Sequence, residues 1–270
     1  MWKKHEMVQH KYEMIDYAAE GGTSLLYEVK LTHGEHALLK VVKSPDTLLN
    51  NQIDNEAAIL ATVKHDRIPK LYDKLTVNQY YKAVVIEKLE AVDLSEIVEK
   101  GKKFTWEEIL DIAKQLADII QAFHQNKPAI VIRDIKPSNI LLAEDRQVYL
   151  VDFGISATVE QAGQVNALGT IGYAAPEQFE NGVVDLRSDL FSLGAVLFYL
   201  VSNGKNIYAS DHEIILRNRL PKTFANIVIK LTATNPDKRF TSIEKVISAF
   251  AKVNRPYRER MKELIHSRNR

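Results

Sequence analysis

The sequence contains no cysteine among its 270 residues. This absence excludes disulfide bonds, thiolate metal sites and cysteine nucleophiles. A strong charge of one sign is missing as well, because 36 Lys and Arg residues stand against 35 Asp and Glu residues. The formal net charge of +1 gives no long-range attraction for nucleic acids or acidic substrates. Any charged ligand must therefore be recognised by side chains that the fold brings together locally.

Long apolar runs are also absent. Residues 1–11 are polar and charged, unlike the apolar centre of a secretory signal. The longest apolar stretch, about 190–201, is interrupted by Ser192 and Gly194 and is too short to span a bilayer. We expect a soluble chain in which this stretch is a buried helix, and its length allows one large domain or two lobes.

The first third of the chain has the pattern of β-strands, and the rest that of helices. Alternating β-rich segments predict five strands, at 12–18, 25–31, 37–42, 71–77 and 81–87. Helical apolar spacing predicts one helix over 47–63, with Ser44 and Asp46 as candidate caps, and long helices over 106–125 and 185–202. The order of these elements predicts an α+β fold, with a small β lobe before a larger helical lobe.

A short polar loop carries the residues with the clearest chemistry. Asp134 and Asn139 are five positions apart, and Pro137 between them excludes the interior of a helix. Two apolar segments follow and predict a hairpin around the turn at 144–146. We expect this hairpin to return the chain so that Asp152 lies beside Asn139. A carboxylate and an amide oxygen suit a hard cation such as Mg²⁺, while Asp134 is left for another role.

These residues resemble the catalytic motifs of protein kinases. The run from Ile132 to Asn139 is similar to HRDxKxxN, and 152–154 reads DFG. The sequence thus resembles the eukaryotic-like (Hanks-type) protein serine/threonine kinases, in a minimal single-domain bacterial form, over about 12–250. The resemblance implies a bilobal protein kinase fold with a small antiparallel five-stranded β lobe over 12–88, a mainly α-helical lobe over 89–254 and a basic tail over 255–270.

The resemblance also implies an ATP site in the first lobe. The segment from Ala19 to Leu26 is similar to the glycine loop GxGxxGxV, although Ala19 and Ser24 replace two of its glycines. Lys40 corresponds to the lysine that holds the α- and β-phosphates, and Glu56 to the glutamate that pairs with it. A solvated surface pair is the alternative for these two residues. The implied nucleotide contacts are Gly21, Gly22, Ser24, Leu26, Leu38, Lys40, Ile86, Glu87, Leu89, Asp93 and Leu142.

Two of these contacts have particular roles in the family. Ile86 would gate the pocket behind the hinge that follows it. Asp93 would bond the ribose hydroxyls, although it is equally placed to cap the helix that begins there.

The family mechanism assigns roles to the catalytic residues. Asp134 would align the substrate hydroxyl and accept its proton, and Lys136 would neutralise charge on the transferred phosphoryl group. Asn139 and Asp152 would hold two Mg²⁺ ions, for which Mn²⁺ is a possible substitute. Lys40, held by Glu56, would orient ATP.

The second lobe carries the features implied for a polypeptide substrate. The segment 169–177 resembles GTxxYxAPE, with Thr170, Tyr173 and Glu177 at its fixed positions. Lys136 together with Thr170 indicates transfer to serine or threonine. Asp189 lies in a segment similar to DxWSxG, and Arg239 matches the arginine that pairs with Glu177. Asp189 and Arg239 are therefore expected to be structural.

Two departures from the family pattern bear on activity and regulation. Ile132 replaces the histidine of HRD, and we expect it to pack beneath Phe153 without inactivating the protein. Arg133 has the identity that usually binds an activation-loop phosphate, yet 160–168 contains no serine or threonine. We therefore expect weak dependence on a late-loop phosphate, and none at 163–169. The remaining hydroxyls of the loop are those of Ser156, Thr158 and Thr170.

Two other functions are kept as alternatives. A pseudokinase or scaffold would bind nucleotide without efficient transfer, and the altered glycine loop is its only support. A small-molecule kinase of the aminoglycoside type would lack the APE segment and the pairing of Lys136 with Thr170. The expected partners are protein substrates, with no strong nucleic-acid signal, and the expected location is the cytoplasm. Autophosphorylation is also expected, while the oligomeric state and the role of the basic tail are left open.

Overall fold

An antiparallel sheet with one helix packed on it forms the N-terminal part of the molecule. The computed structural model describes residues 2–161, 168–179, 183, 185–208 and 211–253. The elements of this part are β1 (Met7–Val8), β2 (Tyr12–Glu20), β3 (Ser24–Lys30), β4 (His36–Val42), α1 (Thr47–Thr62), β5 (Leu71–Val77) and β6 (Tyr81–Glu87). The strand order is β1-β2-β3-β4-β6-β5. All five predicted strands are present, and the short β1 adds a sixth by pairing with β2, so the expected count of five was one too low.

The two faces of this sheet have different partners. Residues directly opposite each other on antiparallel strands share a face, as do residues two apart on one strand. Leu26 lies opposite Lys40, and Leu38 lies opposite Ile86, so these four side chains share one face. The alternate residues of the same strands, including Leu39, form a separate small core on the other face. Lys40 is therefore directed away from that core.

The C-terminal part of the described chain is mainly helical. Its elements are β7 (Ala91–Asp93), α2 (Leu94–Glu99), α3 (Trp106–His124), β8 (Ile130–Val131), β9 (Ile140–Ala143), β10 (Val148–Leu150), β11 (Ala157–Thr158), α4 (Leu186–Ser202), α5 (His212–Arg219), α6 (Lys222–Leu231) and α7 (Ile243–Ala251). Helix α4 is buried from Ser188 to Ser202, as expected for the longest apolar stretch. No helix among the described residues has the length and apolarity needed to cross a membrane. These elements confirm the α+β fold class.

The ends of the long helices follow the caps that the sequence offers. Helix α3 begins with a reciprocal cap, in which Thr105 accepts from the Glu108 backbone N–H and the Glu108 carboxylate accepts from the Thr105 N–H. Helix α4 ends at Asn203, which has the left-handed conformation common at helix C-termini. Helix α1 is capped by Asp46, as predicted.

The predicted hairpin after the loop that carries Asp134 is present. Strands β9 and β10 pair so that Ile140 lies opposite Leu150. The Val151 N–H then donates to the Asn139 carbonyl at 2.9 Å. The chain has thus returned to Asn139 when it reaches Asp152, and this confirms the expectation drawn from the two apolar segments.

Candidate active site

The loop that carries Asp134 is anchored on a buried carboxylate. The Ile132 and Arg133 backbone N–H groups donate to the two oxygens of Asp189, each at 2.9 Å. Asp189 lies on α4 and has no exposed surface. His124, at the end of α3, contacts the same carboxylate through Nε2 at 2.9 Å. Two helices of the core therefore fix the start of the loop.

Asp134 lies at the centre of a polar cluster. Thr170 donates its hydroxyl to Oδ1 at 2.8 Å, and the Lys136 ammonium lies 2.9 Å from Oδ2. The Asn139 amide donates to Oδ2 at 3.1 Å and to the Asp134 carbonyl at 3.0 Å. The Lys136 ammonium also donates to the Thr170 hydroxyl at 3.2 Å, which is the pairing implied by the resemblance. These contacts with Thr170, Lys136 and Asn139 fix the orientation of the Asp134 carboxylate.

Lys40 joins two carboxylates across the cleft. Its ammonium lies 3.0 and 2.8 Å from the two oxygens of Glu56 and 2.9 Å from Oδ1 of Asp152. Both Lys40 and Glu56 are buried, so the solvated surface pair is excluded. Burial by itself lowers the pKa of Lys40, but the charges of Glu56 and Asp152 outweigh burial and hold this pKa above its ordinary value. Burial raises the pKa of Asp152, yet the charge of Lys40 outweighs it and lowers that pKa overall.

A cavity of about 130 Å³ connects these groups. The glycine loop lies over it, since Gly22 and Thr23 line the same space as Lys40, Asp134 and Asp152. A Cβ placed on Gly22 would meet no protein atom within 4 Å, so nothing inside the protein requires glycine there. The absence of a side chain leaves room for a ligand to approach the backbone. The loop backbone and the Lys40 ammonium can therefore attract an anion, while the carboxylates of Asp134 and Asp152 in the same lining can attract a cation.

The apolar contacts expected for a nucleotide fall into two groups. Leu26, Leu38 and Ile86 share the sheet face that carries Lys40. Leu142 lies elsewhere, because it lines a separate cavity together with Phe104, residues of α3 and residues of the hairpin turn. The structure thus brings together three of the predicted apolar residues and places Leu142 apart from them.

Two backbone hydrogen bonds fix the end of β6 and the segment that follows it. The Glu87 N–H donates to the Lys70 carbonyl at 2.9 Å, and the Ala91 N–H donates to the Leu89 carbonyl at 3.0 Å. Asp93 caps α2 by accepting from the Glu96 N–H at 2.9 Å. The capping role considered for Asp93 is therefore present, and its role toward a ribose stays a prediction.

The segment from Thr170 to Glu177 is fixed to the helical lobe by a buried ion pair. Arg239 forms two parallel contacts with Glu177, Nη1–Oε1 at 2.5 Å and Nη2–Oε2 at 2.8 Å. Both residues are buried, and Ser188 donates to the same carboxylate at 2.8 Å. The Tyr173 ring packs near the Tyr199 ring at 6.0 Å, and burial raises the pKa of Tyr173 to about 12. The predicted pairing of Glu177 with Arg239 is present.

The two departures in the catalytic motif have structural counterparts. Ile132 is buried in the same large apolar core as Phe153, and its packing beneath the Phe153 ring stays a prediction. The Phe153 ring also lies 4.9 Å from the Phe123 ring. Arg133 is buried, and its Nη1 donates to the Ile155 carbonyl at 3.3 Å. Burial lowers the pKa of Arg133.

Several residues that support the site were not predicted from the sequence. Asn55 donates to backbone carbonyls of the segment after Asp152. Gln178 donates to the Arg133 carbonyl at 2.9 Å and accepts from the Ala175 N–H at 3.1 Å. His124 and Ser188 hold the two buried carboxylates described above. Asn55 could have been noticed because it directly precedes Glu56 on the predicted helix.

Two expectations fall on parts of the chain outside the described residues. The expectation about a phosphate at 163–169 is one of them, because 162–167 are not described. The expectation about the basic tail 255–270 is the other. The weak dependence on a late-loop phosphate and the role of the tail therefore stay predictions. The lobe boundaries at 88 and 89 likewise stay predictions.

The fold and the site together define the protein kinase class. Three features characterise this class: a curled antiparallel sheet with one helix, a mainly helical lobe, and a cluster of lysine, carboxylate and amide groups between the sheet and the helical lobe. Residues 12–268 match the model of the family described as protein kinase domain. The chain belongs to the protein kinase family.

Several bacterial serine/threonine kinases are similar to the chain. A probable serine/threonine-protein kinase of Clostridium acetobutylicum is 25% identical over 275 residues, which covers 93% of this chain and 41% of that protein. Serine/threonine-protein kinase PrkC of Bacillus subtilis is 26% identical over 88% of this chain and 39% of its own length. PknH of Mycobacterium bovis is 28% identical over 86% of this chain and 42% of its own length. The chain thus spans about two fifths of the length of these relatives.

Proposed function

We propose that the protein transfers the γ-phosphoryl group of ATP to serine and threonine hydroxyls of proteins, including its own. The observation that carries this proposal is the position of Asp134, whose carboxylate accepts from the Thr170 hydroxyl at 2.8 Å. A threonine hydroxyl is the chemical group that a substrate would present. Family membership and the names of the relatives support the same activity.

Asp134 would act on the substrate hydroxyl. A carboxylate already bonded by a hydroxyl, an ammonium and an amide is fixed in orientation and needs little rearrangement when a substrate hydroxyl replaces that of Thr170. Proton acceptance would come late, because phosphoryl transfer passes through a loose transition state in which positioning dominates. Lys136, 2.9 Å from this carboxylate, would stabilise charge on the transferred group.

The residues present fit a hard divalent cation. Asp152 supplies a carboxylate whose pKa is lowered, so it is ionised at neutral pH. Asn139 uses its NH₂ group on Asp134, which leaves Oδ1 as the amide's remaining polar atom. Carboxylate and amide oxygens are ligands that Mg²⁺ accepts, and Mn²⁺ would also suit them. Such ions would neutralise the charge of the phosphates when bound.

The nucleotide base would lie on the sheet face formed by Leu26, Leu38 and Ile86. The hinge backbone from Glu87 to Leu89 would bond its edge. On the side of the base opposite the sheet, we propose a contact with Leu141 and no longer with Leu142. Neighbouring strand residues face opposite sides, and Leu142 faces α3. Because ATP is a cytoplasmic cosubstrate, we also propose a cytoplasmic location.

The pseudokinase alternative has less support than transfer. All the charged groups of the mechanism are present, and the ion pair between Lys40 and Glu56 is formed. The altered glycine loop still leaves open space at Gly22. Small-molecule transfer is disfavoured by the contact between Lys136 and Thr170 and by the buried pair that fixes the segment ending at Glu177.

The proposed function is tested by the substitution Asp134→Asn. The amide keeps the size of the side chain but cannot accept a proton, so we expect normal folding and ATP binding with transfer reduced about 10³-fold or more. Transfer from labelled ATP would be measured on a generic basic protein and on small alcohols, and ATP binding by calorimetry. Mass spectrometry of the wild-type protein would identify the modified residue types.

The matched control is Asp145→Asn, in the exposed turn of the hairpin. It makes the same chemical change away from the site, and we expect full activity. Wild-type rates for the Asp134 variant would contradict the mechanism. Nucleotide binding without transfer by the wild-type protein would support the pseudokinase, and transfer only to small alcohols would support the third alternative.

A further inference from the structure

Asn55 bridges helix α1 and the segment that follows Asp152. Its Nδ2 atom lies 2.8 Å from the Ser156 carbonyl oxygen, 3.0 Å from that of Gly154 and 3.4 Å from that of Phe153. An amide NH₂ group has two hydrogens, so the two shorter contacts are its main hydrogen bonds. Three carbonyls of one short segment thus converge on a single side-chain nitrogen.

The position requires a hydrogen-bond donor. If the amide were reversed, Oδ1 would face three carbonyl oxygens with no hydrogen between them, so the bonding network fixes its orientation. An aspartate at this position would place a negative charge against the same three oxygens. The partly buried setting would strengthen that repulsion, because solvent screens it less.

The two elements that Asn55 joins also meet at Lys40. Helix α1 carries Glu56, the residue after Asn55, and Glu56 contacts the Lys40 ammonium. The segment held by Asn55 begins directly after Asp152, which contacts the same ammonium. The helix and the segment are close along a whole turn, since a Cβ on Gly154 would lie 3.2 Å from Cβ of Gln52.

We propose that Asn55 is a positioning residue for the metal-binding segment. By holding the carbonyls of Phe153, Gly154 and Ser156, it would orient Asp152 only while α1 also brings Glu56 to Lys40. A movement of α1 would then release the ion pair and the orientation of Asp152 together. This inference rests on the proposed function, because it assigns Asp152 its role in holding the cation.

The first test uses the protein without nucleotide or metal. We compare Asn55→Asp with Asn51→Asp, which makes the same change one turn earlier on an exposed part of α1. Amide hydrogen exchange is measured on peptides that cover 150–158, where the Ser156 N–H donates to the Phe153 carbonyl at 3.1 Å. Loss of the side-chain bonds should make exchange of this segment about 10-fold faster in the Asn55 variant. The Asn51 variant should match the wild type.

The second test separates positioning from a general loss of structure. In Asn55→Asp we expect kcat to fall about 10-fold or more and the Mg²⁺ concentration for half-maximal rate to rise by a similar factor. The KM for the protein substrate should stay within about twofold, because Asp134 and Thr170 are not bonded to Asn55. A purely structural role would lower the amount of folded protein without changing the Mg²⁺ dependence.

Asn55→Ala keeps the proposal testable if the aspartate variant does not fold. It removes the donor without adding charge, so the same changes are expected at smaller size. Exchange and Mg²⁺ dependence equal to those of Asn51→Asp, in whichever Asn55 variant folds, would overturn the proposal. If the wild-type protein transfers no phosphate, the proposed function fails, while the exchange result still decides whether Asn55 holds the segment.

Discussion

Two active-site residues have left-handed backbone conformations. The φ angle is 71° for Arg133 and 68° for Asp152. Such conformations cost free energy in residues that carry a side chain, and they persist only where the surroundings hold them. Asp189 holds the first by accepting the N–H of Arg133, and Lys40 contacts the side chain of the second. Backbone strain is therefore located at the start of the loop that carries Asp134 and at Asp152, the proposed ligand of the cation.

At this scale, the substitution Glu56→Gln tests the role of the buried ion pair. The change removes one of the two negative charges that Lys40 contacts, while the size of the side chain is kept. We expect the KM for ATP to rise about 10- to 100-fold, because a hydrogen bond to a charged group contributes about 1.5–3 kcal/mol. Steady-state kinetics at varied ATP concentration measures this effect.

The control for this substitution is Glu99→Gln, at an exposed position at the end of α2. It should leave the KM for ATP unchanged. An unchanged KM in the Glu56 variant would show that Asp152 by itself is sufficient to position Lys40.

At the scale of elements, the buried helix α4 organises the helical lobe. Its N-terminus is capped by Asp185, which accepts from the Arg187 N–H at 2.8 Å. Its first turns present Ser188 to the carboxylate of Glu177 and Asp189 to the catalytic loop. Two polar residues of this otherwise apolar helix, Ser188 and Asp189, therefore fix neighbouring segments. Ser192, which interrupts the apolar stretch, donates instead to the Ser188 carbonyl of the same helix.

The cap of α4 predicts a pH dependence of stability. Burial raises the pKa of Asp185, but its bonds to Arg187 outweigh burial and hold this pKa below the ordinary value of 3.8. A lowered folded-state pKa stabilises the folded protein above the unfolded pKa, and this stabilisation is lost as the pH falls through the folded pKa. Asparagine can still cap the helix but loses the charged bonds to Arg187, so we expect Asp185→Asn to cost about 1 kcal/mol at neutral pH and progressively less below about pH 4.

Denaturant unfolding of the two proteins between pH 3 and pH 8 checks this dependence. Asp237→Asn removes the other carboxylate that Arg187 contacts, at a side chain that is 80% exposed. It should cost less than about 0.5 kcal/mol. A difference between wild type and Asp185→Asn that stays constant down to pH 3 would contradict the assignment.

At the scale of the whole molecule, Glu177 and Arg239 connect distant parts of the chain. Arg239 also donates to the carbonyls of Ala233 at 2.8 Å, Thr234 at 3.1 Å and Arg187 at 3.0 Å. The guanidinium thus joins the activation segment, α4 and the loop after α6. Its side chain has no exposed surface, so all of its charge must be compensated inside the protein.

The substitution Arg239→Met should destabilise the helical lobe by about 3–5 kcal/mol, because it leaves a buried carboxylate without its partner. Arg217→Met provides the comparison, since Arg217 pairs with Glu213 on the surface of α5. That exposed pair should contribute less than about 0.5 kcal/mol. Thermal and denaturant unfolding of both variants measure the contrast, and equal costs would show that the buried pair is no more important than a surface pair.

The sequence predicted most of the elements and the charged groups because their patterns are local or motif-based. The hairpin that returns to Asp152 could be predicted, since two apolar segments flank a polar turn. The sixth strand was missed because β1 has only two residues and depends on β2 for pairing. The family resemblance implied Leu142 at the nucleotide site, and strand alternation without the register does not show which of two neighbouring residues faces the cleft.

The sequence by itself determined which chemistry is available: a thiol-free chain with Lys40, Glu56, Asp134, Asn139 and Asp152 in a kinase order. The tertiary structure decided how these groups are held, through Asp189 beneath the catalytic loop and Asn55 against the segment after Asp152. The physical reason is that a motif records residue types along the chain, while hydrogen bonds to backbone carbonyls depend on which helices pack together. Motif residues could therefore be found by spacing, and the residues that position them only by their contacts.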